Sequence, residues 1–268
     1  MKKLFLSSII TLTLFSCTSD DISGFIADNP NFLPQKQGNY WVYDVKNEQE
    51  TSRDSLYISG TQTSNSNIYY TYDTQNEVPF GFYSGVLTSG QTRVSGTKMF
   101  LTGNLNIGSM FGEEFSDLNI EFTDFLFFDA SASQGSNLDN DSGEFEIPYQ
   151  ENVTLKIEYN LYSKSGENLN AYTLPNGTTY NNIKVTRVAV SAKISIETSV
   201  AGFPISYPLV SSQDVLISTQ YYAKNIGMIY ANTDMQYQLN EIPGGFDIPM
   251  PESFQANMKE TIIHYGVE

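Results

Sequence analysis

The sequence predicts an all-β protein, mostly antiparallel, built as a single large curved sheet of half-barrel or sandwich form with little helix. Three observations predict it. Two segments alternate with period two. Val153, Leu155, Ile157, Tyr159 and Leu161 fall on one face against Thr154, Lys156, Glu158 and Asn160; Val188, Val190, Ala192, Ile194 and Ile196 oppose Arg187, Ser191, Lys193, Ser195 and Glu197. That is the pattern of strands with one buried and one wet face. Aromatic residues reach 13 %, with 18 Tyr and 17 Phe against one Trp, in company with Thr, Ser, Asn and Gly, which favours strands and turns. Turn signals such as Ser89-Gly90, Pro175-Asn176-Gly177 and Gly244-Gly245 punctuate the strand-like runs, a spacing typical of sandwiches and curved, barrel-like sheets.

At the amino end, Lys2 and Lys3 precede an uncharged run, residues 4–15, rich in Leu, Ile and Phe. This is the charged and apolar arrangement of a secretory signal. As a helix the run would cover roughly 18 Å, too little for a hydrocarbon core of about 30 Å. It ends Leu14-Phe15-Ser16-Cys17, which resembles the lipobox of bacterial lipoproteins. The resemblance implies that residues 1–16 are a signal peptide and that Cys17 carries the lipid, its thiol taking a diacylglyceryl group and its freed amine a third acyl chain. Stable anchoring needs two signals, so three chains would hold the protein permanently. Thr18-Ser19-Asp20-Asp21 resembles the acidic tag that some Gram-negative bacteria use to send lipoproteins to the outer face of the outer membrane. The expected location is therefore the outer membrane, lipid-anchored and surface-exposed. Residues 17–31 are polar with Gly and Pro and read as a flexible acidic tether; the alternative is an ordered first strand, with Phe25 and Ile26 packed.

From there the β domain spans residues 32–268 without a linker. Strands are expected at residues 40–45, 55–59, 68–72, 92–101 and 118–128. They continue at 153–161, 180–185, 188–196, 215–222, 228–232 and 261–265. In 122–128 the last four residues are apolar on both faces, so the strand wants cover on each side. Either another element supplies it, or Phe125, Phe127 and Phe128 line an apolar cavity for a ligand. The one helix candidate covers residues 251–262, with Pro251 at a first position and Phe254, Met258 and Ile262 at i, i+4 spacing; the alternative is a loop feeding the last strand.

Composition narrows the chemistry. The net charge is −16, and removal of Lys2 and Lys3 with the signal would take it to −18. Such a surface repels phosphate backbones and anionic lipid, so nucleic acid is not expected as a partner. One cysteine allows no intramolecular disulfide and no cysteine-based metal site. The single histidine, His264, would have to serve any triad alone and reads as a strand-surface residue. Asp139, Asp141 and Glu144 sit in the densest acidic stretch and offer oxygen ligands for Ca²⁺, but the EF-hand register fails at Pro148; the plainer reading is a solvated acidic loop. No cofactor is expected beyond the covalent lipid. Tyr69, Tyr70, Phe80, Phe82 and Tyr83 are candidates for stacking on sugar faces. Asp54-Ser55-Leu56 resembles a short sequence that some of these bacteria O-glycosylate, with Ser55 as acceptor.

Three patches resemble a broad group of outer-membrane lipoproteins, some of them like the lipoprotein-carrier half-barrel, a curved sheet wrapped around a helix. They are Phe32-Leu33-Pro34 with Gly38-Asn39-Tyr40-Trp41-Val42-Tyr43-Asp44; the stretch from Leu174-Pro175-Asn176-Gly177 to Ile183-Lys184-Val185; and the stretch from Tyr221-Tyr222-Ala223-Lys224 to Gly227-Met228-Ile229-Tyr230. As fold markers, Trp41 would pin the first strand into the core and Gly177 and Gly227 would permit tight turns. The sequence lacks the long helix of that pattern. The expected function is a non-enzymatic binding or accessory protein for an apolar or glycan ligand. The alternatives are a structural component of a cell-surface assembly and a carboxylate-based glycoside hydrolase, which would need two close carboxylates in a cleft with one pKa pushed up.

Overall fold

The computed structural model describes residues 31–75, 78–112, 115–200, 202–241, 248 and 250–268. The expected signal segment, Cys17, the expected tether up to residue 30, and Gly244-Gly245 lie outside the described residues.

Twelve strands form one antiparallel sheet that curls nearly into a closed barrel. In chain order they are β1 (Tyr40–Lys46), β2 (Thr51–Ser64), β3 (Asn67–Thr74), β4 (Gln91–Ser95), β5 (Lys98–Asn106) and β6 (Asn119–Asp129). Then follow β7 (Asn137–Gln150), β8 (Val153–Thr173), β9 (Thr179–Val200), β10 (Phe203–Ala223), β11 (Gly227–Gln238) and β12 (Ser253–Gly266). Each strand lies beside its sequence neighbour in two runs, β1 to β6 and β7 to β12, and the pairing of β1 with β12 joins the runs. β6 and β7, consecutive in the chain, are therefore the two edges of the sheet.

The edges overlap instead of pairing. Ser163 on β8 donates its hydroxyl to Leu126 O at 2.6 Å, Thr186 on β9 donates to Phe127 O at 3.2 Å, and Leu126 N–H donates to Asp139 Oδ2 at 2.8 Å. The second half of β6 thus lies against the inward side chains of β8 and β9. This explains the doubly apolar run: bulges offset β6 from β5 between Met99 and Phe100 and between Leu101 and Gly103, with Asp124 at φ 52°, and cover comes from two sides.

A seven-residue helix, α1 (Phe82–Thr88), sits inside the sheet with Tyr83, Ser84, Val86 and Leu87 buried. The strap of residues 31–39 closes one end. Phe32, Leu33 and Pro34 are buried there, Asn39 donates to Pro34 O, and Gln35 reaches inward. Trp41 is buried and donates its indole N–H to Ile226 O at 2.6 Å. Gly177 and Gly227 turn their hairpins at φ 89° and 102°.

Several expectations need correction. Residues 251–262 form no helix; from Ser253 onward they belong to β12. Phe254, Met258 and Ile262 satisfy a period of two as well as i, i+4, and inward-facing Glu260 hides the alternation from a sequence reader. The acidic stretch around Asp139 to Glu146 is no loop but most of β7, an edge strand paired on one side only with β8, where Pro148 and weak strand formers are tolerated. The expected strand 92–101 breaks at Gly96 into β4 and β5, whereas 180–185 and 188–196 merge into one 22-residue strand.

Candidate functional site

The barrel interior is polar at its centre and full. Tyr43, Tyr72 and Tyr222 gather around Tyr83 of α1, which stands edge-on to Tyr43 at 6.2 Å and to Tyr222 at 6.4 Å. Tyr43 donates to Met228 O, and Tyr222 donates to Gln220, which donates to Ser218. Gln35 from the strap donates to Tyr72 OH at 2.9 Å and Thr92 Oγ1 at 2.7 Å. Burial pushes the Tyr72 phenol up to about 12 and raises those of Tyr43, Tyr83 and Tyr222 further, so all stay protonated. Beneath the strap a cavity of about 20 Å³ remains, lined by Gln35, Trp41, Tyr72, Tyr83 and Tyr222 among others, enough for roughly one water.

Two carboxylates are sealed beside this network. Helix α1 begins at Gly81 with no side-chain cap of its own. The N–H groups at this end are taken instead by Asp54 of β2 and Glu260 of β12, with that of Phe82 donating to Met258 Sδ. Asp54 accepts from Phe80 N at 3.0 Å and Gly81 N at 2.7 Å; Glu260 accepts from Tyr83 N at 2.7 Å and from Ser84 N and Oγ at 3.1 and 3.2 Å. A Cβ on Gly81 would stand 2.2 Å from Glu260 Oε1 and 2.9 Å from Asp54 Oδ2, so these two oxygens lie within about 5 Å of each other. Desolvation raises Glu260 to about 7, helped by the nearby Asp54 charge and opposed by the N–H donors. A carboxyl with a raised pKa beside a second one is what a glycosidase needs, but the two residues are 0 % and 1 % exposed and every contact holds the helix.

The accessible concavity is on the outer face. Past an irregularity between Ser165 and Asn168, the β8–β9 hairpin bends over the sheet as an arm. Gly166 permits the bend: a Cβ there would meet Val185 Cγ1 at 2.8 Å. The arm lays Tyr172 on Tyr221 of β10, ring centroids 4.3 Å apart and 24° from parallel, and 5.8 Å from Tyr230 of β11. Partial burial and these neighbours push the Tyr172 phenol up to about 12. At the base of the arm opens a groove of about 510 Å³, within the usual range of ligand pockets. Tyr172, Tyr221, Arg187, Lys164, Glu167 and Thr219 line it, with Gln134 and Gly135 of the β6–β7 turn at one side.

The residues singled out from sequence are scattered. Phe125, Phe127 and Phe128 are 4 %, 2 % and 1 % exposed and packed in the core, Phe128 at 4.4 Å from Tyr222. Among the sugar-stacking candidates Tyr83 is buried in the core; Tyr69, Tyr70, Phe80 and Phe82 are half-buried. Ser55 lines an outer depression of about 390 Å³ with Tyr40, Val42 and Tyr57, while the Asp54 before it is committed to α1. Asp139 binds the β6 backbone, Glu144 pairs with Lys156 at 2.8 Å, and on a strand Glu144 points to the opposite face from Asp139 and Asp141. Among the described residues no group of three His, Cys, Asp or Glu is placed to hold a metal ion. His264 is exposed, with Nε2 3.0 Å from Tyr40 OH. The groove residues were missed because Tyr172, Arg187 and Tyr221 lie far apart in sequence and meet only through register and the bend of the arm; the wet position of Arg187 opposite an apolar face was the one visible sign. No protein family, curated protein or solved structure matches the chain.

Proposed function

We propose that the protein is a lipid-anchored lipoprotein of the outer membrane, carried on Cys17 and facing outward, that binds a glycan without transforming it. The observation that carries the glycan reading is the groove under the β8–β9 arm: stacked phenol rings beside charged and hydroxyl side chains are what a sugar needs, an apolar face to lie on and polar groups for its hydroxyls. An apolar ligand is less well served. The interior that would take it is filled by its own side chains, and the outer groove mixes rings with Arg187, Lys164 and Glu167. Hydrolysis by paired carboxylates is disfavoured by the closure of Asp54 and Glu260 around α1, out of reach of any chain laid in the groove. The lipobox-like Leu14-Phe15-Ser16-Cys17 supports the anchor.

The test is a glycan array probed with the full-length protein in mild detergent, followed by titration of the best binders. A saccharide bound by the wild type and lost at least tenfold in Tyr221→Ala supports the reading, and Cys17→Ser should leave the membrane fraction. Binding that ignores Tyr221→Ala, or no binding at all, goes against it.

A further inference from the structure

We infer that the glycan this groove takes is an acidic one, bearing uronate or sulfate groups; the inference rests on the glycan reading and narrows it. The chain is strongly acidic, with 14 Lys and Arg against 30 Asp and Glu. Yet the wall of the groove is basic. Lys164 and Arg187 are register partners across β8 and β9, and among the described residues neither makes an ion pair. Lys164 instead lies over the Tyr162 ring, 4.9 Å from its centroid, while the Tyr162 hydroxyl donates to Asp214 at 2.8 Å. Elsewhere on the same ladder Lys193 faces Glu158 and bonds it, and on β1 and β2 Arg53 faces Asp44 and bonds it.

Like charges set directly opposite one another lower strand stability. Apart from the contact of Lys164 with the Tyr162 ring, no described interaction offsets this juxtaposition. A bound anion would neutralise both cations at once, and the Arg187 guanidinium offers the planar fork that suits a carboxylate or sulfate. The rings of Tyr172 and Tyr221 beside them supply the stacking surface, so charge and sugar face are read together. Glu167, the carboxylate on the rim, is left to accept from ligand hydroxyls. Lys46 and Lys259 also face each other, across β1 and β12, away from the groove and its stacked rings, and they provide the control.

The experiment compares size-matched oligosaccharides that are neutral, uronate-bearing or sulfated, titrated calorimetrically into the full-length protein in mild detergent at low and at raised salt. An acidic series that binds at least tenfold tighter than the neutral one, with the advantage shrinking in salt, supports the inference. The Lys164→Gln, Arg187→Gln double variant should then bind acidic and neutral sugars alike, while Lys259→Gln keeps the advantage. The two acidic series separate carboxylate from sulfate recognition. Neutral sugars binding as well as acidic ones would overturn the inference and leave the glycan reading standing. An acidic preference that survives in the double variant also overturns it, because the charge is then read elsewhere. If no sugar of any charge binds, both fail.

Discussion

At the scale of single residues, the costliest choices in this chain are Asp54 and Glu260, two acids placed where strands normally carry apolar side chains. They are used because a helix of seven residues, enclosed by a sheet, has N–H groups that water cannot reach. Burial holds Glu260 near 7, above the ordinary 4.5. Below about pH 4.5 the folded and unfolded chains both keep this proton, so the stabilisation is fully present there. Between 4.5 and 7 only the folded chain keeps it, and stability from this group falls as pH rises through that window, by on the order of 3 kcal/mol at most. Urea unfolding at pH 5 and pH 8 should therefore show a larger loss of stability on raising the pH in the wild type than in Glu260→Gln; parallel losses would contradict the assignment. The site residues were the least legible in sequence for a related reason. Asp54 looked like part of a glycosylation sequence and Glu260 only fell within the expected helix 251–262, because a buried acid is recognisable only by what surrounds it.

At the scale of elements, the strongest period-two runs, 153–161 and 188–196, became the first half of β8 and the middle of β9, since their alternation reports a face turned to the core. Weakly patterned strands were hidden. β7 forms on the strength of its partner β8, and β12 on pairing with both β1 and β11. The seam beside β7 is held by side chains instead of a ladder, which gives it a distinct signature. Removing the hydroxyls in Ser163→Ala with Thr186→Val leaves two β6 carbonyls without their donors, at a cost of about 1–3 kcal/mol each. Hydrogen exchange should accelerate in residues 125–128 ahead of β1 and β2; a uniform change across the sheet would show that the seam is not a local weak point.

At the scale of the whole molecule, two runs of sequential neighbours joined by β1 and β12 explain how a chain with one cysteine keeps its shape: nearly every strand has two partners, and the ends of the domain meet at the middle of the sheet, where Glu268 N–H donates to Asn39 Oδ1. Alternation, composition and turn spacing together made the curved all-β class legible. It could not reveal that the curl goes on until the edges overlap, which depends on bulges in β6, nor that the usable concavity ends up outside the barrel. An acidic body with a basic, tyrosine-lined groove is a division of labour that only the folded arrangement displays. Hydrogen exchange of the full-length protein with and without a bound saccharide tests it most directly. The account requires protection concentrated in residues 164–172 and 219–221, at the base of the arm; protection confined to the strap and the barrel interior, or none at all, would contradict it.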